Sequence, residues 1–244
     1  MRISIWFVFV LCFGSNIHSN EIKNFSGNIF IIGDSHTTAF ARLPKHLNGK
    51  IIQPFYKMGK SGHPASMYGV GRDNAENIVS ESDFGLLQDG DAIVFCYGYV
   101  DVNWLIWKQV NIKERNLDQV VEDLVEKYLS AISNITEKNI IKIVYNVLPP
   151  IYDCSYCKFI GTFIDRITYS NKMNTMLARE CANRKIEFLD VYAACCDETG
   201  QLSAELRDGE DCHIKPSSND IILENLCGIL SRLFSDKFIF HELK

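Results

Sequence analysis

The chain has 244 residues, 47% of them hydrophobic and 23% charged, with no low-complexity tract and no internal repeat, which fits one globular domain with its own core. A formal net charge of -5 without a basic stripe argues against nucleic acid as a partner.

In chain order, Met1-Arg2 precedes an apolar run over residues 3–13, then small and polar residues through Ser19. One positive charge, an apolar stretch too short to span a bilayer and that polar tail predict a signal peptide over 1–19, hence export to the periplasm or beyond. An uncleaved membrane anchor is the alternative.

The apolar run 29–32 has strand length and stops at Gly33, after which Asp34-Ser35-His36 opens toward a helix over 36–43, bounded by Pro44. Ser35 should therefore sit at the C-terminal end of a buried strand, where open α/β sheets place ligands. Glycine permits the sharp turn, and the helix start offers unpaired N–H groups to a developing anion, so Ser35 is a candidate nucleophile. A second strand is expected over 51–55. The glycine-dense segment 58–72 predicts a loop across the top of the sheet, and a short helix is expected over 73–81.

Residues 91–97 predict a buried strand ending at Gly98, followed by an aromatic-rich excursion over 99–112 that contains Trp104 and Trp107. The clearest helix spans 116–136: Val120, Val121, Leu124, Val125, Tyr128, Leu129 and Ile132 mark one apolar face, and Asn116 with Gln119 gives a start like a capping box. A fourth strand over 140–147, a helix over 164–183, a fifth strand over 186–191 and a last helix over 217–233 complete the pattern. Five strands alternating with helices imply a parallel sheet covered on both faces, an α/β fold built as a three-layer α/β/α sandwich over 27–236.

Nine cysteines are present, eight of them beyond the predicted leader, and an exported chain can pair several. Cys154-Ser155-Tyr156-Cys157 looks like half a zinc ribbon, yet there is no second CxxC pair. A local disulfide or plain thiols is the expectation, and no metal.

A serine nucleophile needs a base, and the base needs a carboxylate. Of six histidines, His18 lies in the leader, His241 in the tail and His46 on a turn beside Pro44. His36 is expected to face solvent or cap locally, and His63 to line a substrate pocket from the glycine loop. That leaves His213, after the last strand and ahead of the last helix, where it can return to the sheet edge near Ser35. Asp208, Glu210 and Asp211 crowd it, and one of them can accept the Nδ1 proton, freeing Nε2 for the serine.

Together these segments resemble the SGNH (GDSL-type) hydrolase superfamily, in particular a bacterial branch with a Gly-Asp-Ser-His opening. Gly33-Asp34-Ser35-His36 stands at the first motif, Gly59-Lys60-Ser61-Gly62 at the second, Gly98-Tyr99-Val100-Asp101 at the third and Glu210-Asp211-Cys212-His213 at the fourth. The resemblance implies a flavodoxin-like five-stranded sheet and a serine esterase that needs no cofactor. Ser35 and His213 are then the nucleophile and base, Glu210 or Asp211 the orienting acid, and the N–H groups of Ser35 and Gly62 the oxyanion hole, with Gly71 in reserve. His63, Asp101, Asn103 and Trp104 are the expected substrate-facing positions. The implied substrate is a small acyl ester, such as an O-acetyl group on a carbohydrate.

Two positions depart from the pattern. Val100 stands where the third motif carries an oxyanion-binding asparagine, with Asn103 a candidate replacement, and Glu210 stands where an aspartate is usual. An acyltransferase, or a weakly active carbohydrate-binding protein using Tyr97, Tyr99, Trp104 and Trp107, is the alternative to a hydrolase.

Overall fold

The computed structural model describes residues 27–40, 52–56, 66–73, 86–136, 138–154 and 157–241. The expected leader and short helix 73–81, together with His46, Gly62 and His63, lie outside these, apart from Asp73, which ends a preceding helix.

Strands β1 (Ile29–Gly33), β2 (Ile52–Tyr56), β3 (Ala92–Cys96), β4 (Ile141–Tyr145) and β5 (Glu187–Leu189) form one sheet in the order β2-β1-β3-β4-β5. All four pairings are parallel. Both faces are covered, so β1 and β3 are buried at every position and read as continuous apolar runs. Side chains still alternate between two cores. Phe30, Ile32, Ile93, Phe95 and Val144 face one, and Ile29, Ile31, Val94, Ile143 and Leu189 the other.

The first core is closed by helices α1 (Met67–Arg72), α2 (Leu117–Ser133) and α3 (Phe163–Arg184). All seven apolar positions that the 3.6-residue rhythm assigns to α2 are buried, and Asn116 caps it by accepting from the N–H groups of Asp118 and Gln119. A capping box between Thr162 and Asp165 starts α3. The second core is closed by the 3₁₀ helix Ser35–Phe40 and by α5 (Asp220–His241), through Phe40, Ile222, Leu226 and Leu230. A short helix α4 (Tyr192–Cys195) follows β5.

Two segments differ from the sequence expectation. Residues 67–72, expected as loop, form α1, because Ser66 caps Gly69 and the Asp101 carboxylate accepts from the N–H groups of Met67 and Tyr68. Residues 99–112, expected only as an aromatic-rich excursion, are helical, with π-helical turns over Asp101–Leu105 and Lys108–Ile112.

Candidate active site

β1 and β3 lie side by side, and the chain leaves them toward opposite halves of the sheet, so a crevice opens beyond their carboxyl ends. Gly33 makes the close approach possible: a Cβ there would lie 2.0 Å from the Cys96 carbonyl oxygen. Asp34 then donates its N–H to that carbonyl at 2.9 Å and accepts the His36 N–H on Oδ1, which sets the turn that presents Ser35.

His213 reaches Ser35 from 178 positions away: its Nε2 is 2.7 Å from Ser35 Oγ. Nδ1 is 2.8 Å from Asp211 Oδ1. Burial raises the Asp211 pKa, but the bond and charge of His213 outweigh it and hold the carboxyl below its ordinary range. An ionised carboxylate only accepts, so Nδ1 carries the proton and Nε2 is left to accept from the serine hydroxyl. A hairpin-like span pinned by the antiparallel bridge between Arg207 and Ile214 carries both residues. Asn219, just before α5, donates to the Ala39 carbonyl at 2.8 Å and so fastens the segment after His213 to the helix that Ser35 opens.

Of the two acids that the sequence left open, Asp211 is the one bonded to His213. Glu210 is exposed and has no bond to His213, and Asp208 is likewise exposed. Asp211 Oδ1 also accepts the Cys212 N–H at 2.6 Å, which fixes the carboxylate against its own backbone. A glutamate one residue earlier has no such anchor.

Other expectations need correction. His36 does not face solvent: it is 3% exposed, with its ring 4.1 Å from that of Tyr99 and 4.5 Å from that of His213. Burial first, and then the proximity of His213, holds its pKa well below the ordinary imidazole value, so it packs the base as a neutral ring. Asp101 borders the cavity at the third-motif segment, but it is buried and both its oxygens are taken up in fixing the start of α1. Asn103 cannot replace the missing oxyanion donor, since it is buried and its amide donates back to the Tyr99 carbonyl at 2.7 Å. Gly71 lies inside α1 against Lys127 of α2, away from any oxyanion.

Trp104 is held by its indole N–H, 2.7 Å from the Lys158 carbonyl. With Tyr68, Val100, Leu105 and Lys108 it lines a cavity of about 380 Å³ at the third-motif segment. Among the described residues, the Ser35 N–H, first of its 3₁₀ helix, has no hydrogen-bond partner. The packing of His36 and Tyr99 and the Asn219 tie were not in the sequence reading, because no local pattern signals a contact between distant loops.

Neither protein-family models nor curated proteins match the sequence significantly. Solved structures do match the fold. A GDSL-like lipase of Bacteroides thetaiotaomicron superposes with a TM-score of 0.58 at 16% identity, over 84% of this chain and 88% of its own. A candidate acylhydrolase of Bacteroides fragilis gives 0.56 at 12% identity, over 91% and 97%. A member of the lipolytic G-D-S-L family from Veillonella parvula gives 0.52 at 13%, over 85% and 100%. The chain thus has the fold of the SGNH (GDSL-type) hydrolase superfamily that its four ordered motifs resemble.

Proposed function

We propose that the protein is a serine esterase that cleaves small acyl esters through Ser35, His213 and Asp211. The observation that carries this reading is the continuous line from Ser35 Oγ to His213 Nε2 at 2.7 Å and from Nδ1 to Asp211 at 2.8 Å. Ser35 Oγ attacks the ester carbonyl while Nε2 takes its proton, and Asp211 stabilises the resulting imidazolium. The tetrahedral oxyanion accepts the Ser35 N–H; the resemblance assigns the second donor to Gly62, which lies outside the described residues. On collapse the imidazolium protonates the departing alcohol. Water then attacks the acyl-enzyme, giving its proton to His213, and the acid leaves as Ser35 is restored. A sugar hydroxyl in place of water turns the same steps into acyl transfer. Neutral His36 adds no charge to oppose the imidazolium.

The substrate class we favour is an O-acyl group on a carbohydrate outside the cytoplasm, supported by the aromatic lining of the cavity near Val100 and by the leader-like N-terminus. Release of p-nitrophenol from its acetate tests the reaction. Turnover should fall by ~10³-fold or more in Ser35→Ala, and retention of full activity removes Ser35 from the mechanism.

Val100 favours a second reading, a carbohydrate-binding protein with little turnover, because a lost oxyanion donor costs ~10²- to 10³-fold. Absence of labelling by a fluorophosphonate, with glycan binding lost in Trp104→Ala, would select it.

A further inference from the structure

Beside the acid–base pair, three sulfurs converge. The Sγ atoms of Cys154, Cys157 and Cys212 all lie within 4.8 Å of one another, and each is a free thiol. Two come from the CxxC turn beyond β4, and the third sits between Asp211 and His213. This is the partner that the sequence, showing only half a zinc ribbon, did not reveal. Cys154 and Cys212 are buried, at 6% and 2% exposure, whereas Cys157 is half-buried and leaves an approach from solvent.

The framework is held before any ion arrives. Buried Arg166 donates to the carbonyls of Ile151 and Tyr152 at 3.0 and 2.9 Å, pinning the turn that carries Cys154 to α3. The bridge between Arg207 and Ile214 pins the span that carries Cys212. A separate observation concerns Tyr99: its hydroxyl is buried against the Cys212 thiol, a weak hydrogen-bonding neighbour, and has no stronger partner among the described residues. A metal-bound thiolate at Cys212 would give that hydroxyl a strong acceptor. A disulfide would join two of the sulfurs and leave the third without a role.

We propose that Cys154, Cys157 and Cys212 form a binding site for a thiophilic tetrahedral cation, zinc above all. Zinc–sulfur distances of about 2.3 Å place three ligand sulfurs roughly 3.8 Å apart, within the spacing seen here. Binding releases three thiol protons to solvent and changes no oxidation state; water takes the fourth position on the Cys157 side. His213 stays outside the set, its Nδ1 held by Asp211 and 3.8 Å from Cys212 Sγ. The ion ties the CxxC turn to the Asp211-Cys212-His213 span, a stabilising site next to the catalytic groups and separate from them.

The test uses the full chain, reduced, stripped with a chelator and titrated with Zn²⁺ or Co²⁺ alone. One zinc per chain by elemental analysis is expected, with a thiolate-to-cobalt charge-transfer band in the near ultraviolet for the Co²⁺ form. Affinity should drop at least ~10-fold in Cys154→Ser and in Cys157→Ser, and stay unchanged in Cys227→Ser, outside the cluster. Absence of the cobalt band in the parent chain overturns the proposal whether or not the variants fold. So does zinc uptake that Cys157→Ser leaves intact, or a disulfide between any two of the three in chain isolated without added oxidant.

Discussion

Asp211 and Glu210 are adjacent acids with opposite prospects, and the backbone decides between them. The Asp211 carboxylate is anchored by the Cys212 N–H and by His213, while Glu210 points into water. Asp211→Asn should lower kcat for p-nitrophenyl acetate by ~10⁴-fold with KM little changed, because an amide no longer enforces the tautomer that leaves Nε2 free. Glu210→Gln should leave the kinetics unaltered, and equal losses in both variants would refute the assignment. The Asp211 pKa is depressed in the folded chain, so its contribution is in place above the ordinary carboxylate pKa and disappears as pH falls through the lower folded value. The sequence placed Ser35 at a strand end and His213 in the loop ahead of the last helix, and the structure brings the two side chains together. Which acid serves His213 was not legible there, because one residue of backbone phase inside an irregular turn leaves no periodic trace.

Gly33 shows how an element's end can be set by its neighbour. A methyl group at that position would lie 2.0 Å from the Cys96 carbonyl oxygen and 2.7 Å from Cys96 Cβ, at the last pair of the β1–β3 register. Gly33→Ala should cost more than about 3 kcal/mol, seen as a lower urea midpoint, because two strands must part to admit it. An unchanged midpoint would mean the strands already have room. Strands β1, β3 and β4 were readable as apolar runs of strand length, and helix α2 from its 3.6-residue rhythm and the cap at Asn116. The helical path of 99–112 was not, since π-helical turns do not follow that rhythm and their aromatics resemble those of a lid. Helix α1 was hidden for a different reason: its N-terminus is satisfied by Asp101, 34 positions downstream of Met67.

At the scale of the whole molecule, two buried acids, Asp34 and Asp101, tie stability to pH. Burial pushes both Asp34 and Asp101 up to about 7, partly offset by N–H donors, from His36 for the first and from Met67 and Tyr68 for the second. Each holds its proton more tightly folded than unfolded. Between the ordinary carboxylate pKa and about 7 the native state therefore binds more protons than the unfolded chain, and stability declines as pH rises through that window. The slope is at most about 1.4 kcal/mol per pH unit for each acid. Asp34→Asn keeps an acceptor for the His36 N–H and should flatten the fall in melting temperature between pH 5 and pH 8. A slope equal to the parent's would show that Asp34 does not titrate there.

The bond from Asn219 to Ala39 joins two segments 180 positions apart, and it is what carries the imidazole's strand of chain back over the hydroxyl. Such a long-range closure forms late and yields early, since its entropy is recovered only once the sheet between the two termini has assembled. Gentle heating would then silence the proposed esterase activity while circular dichroism still reports an intact scaffold, and cooling would restore it without refolding of the strands.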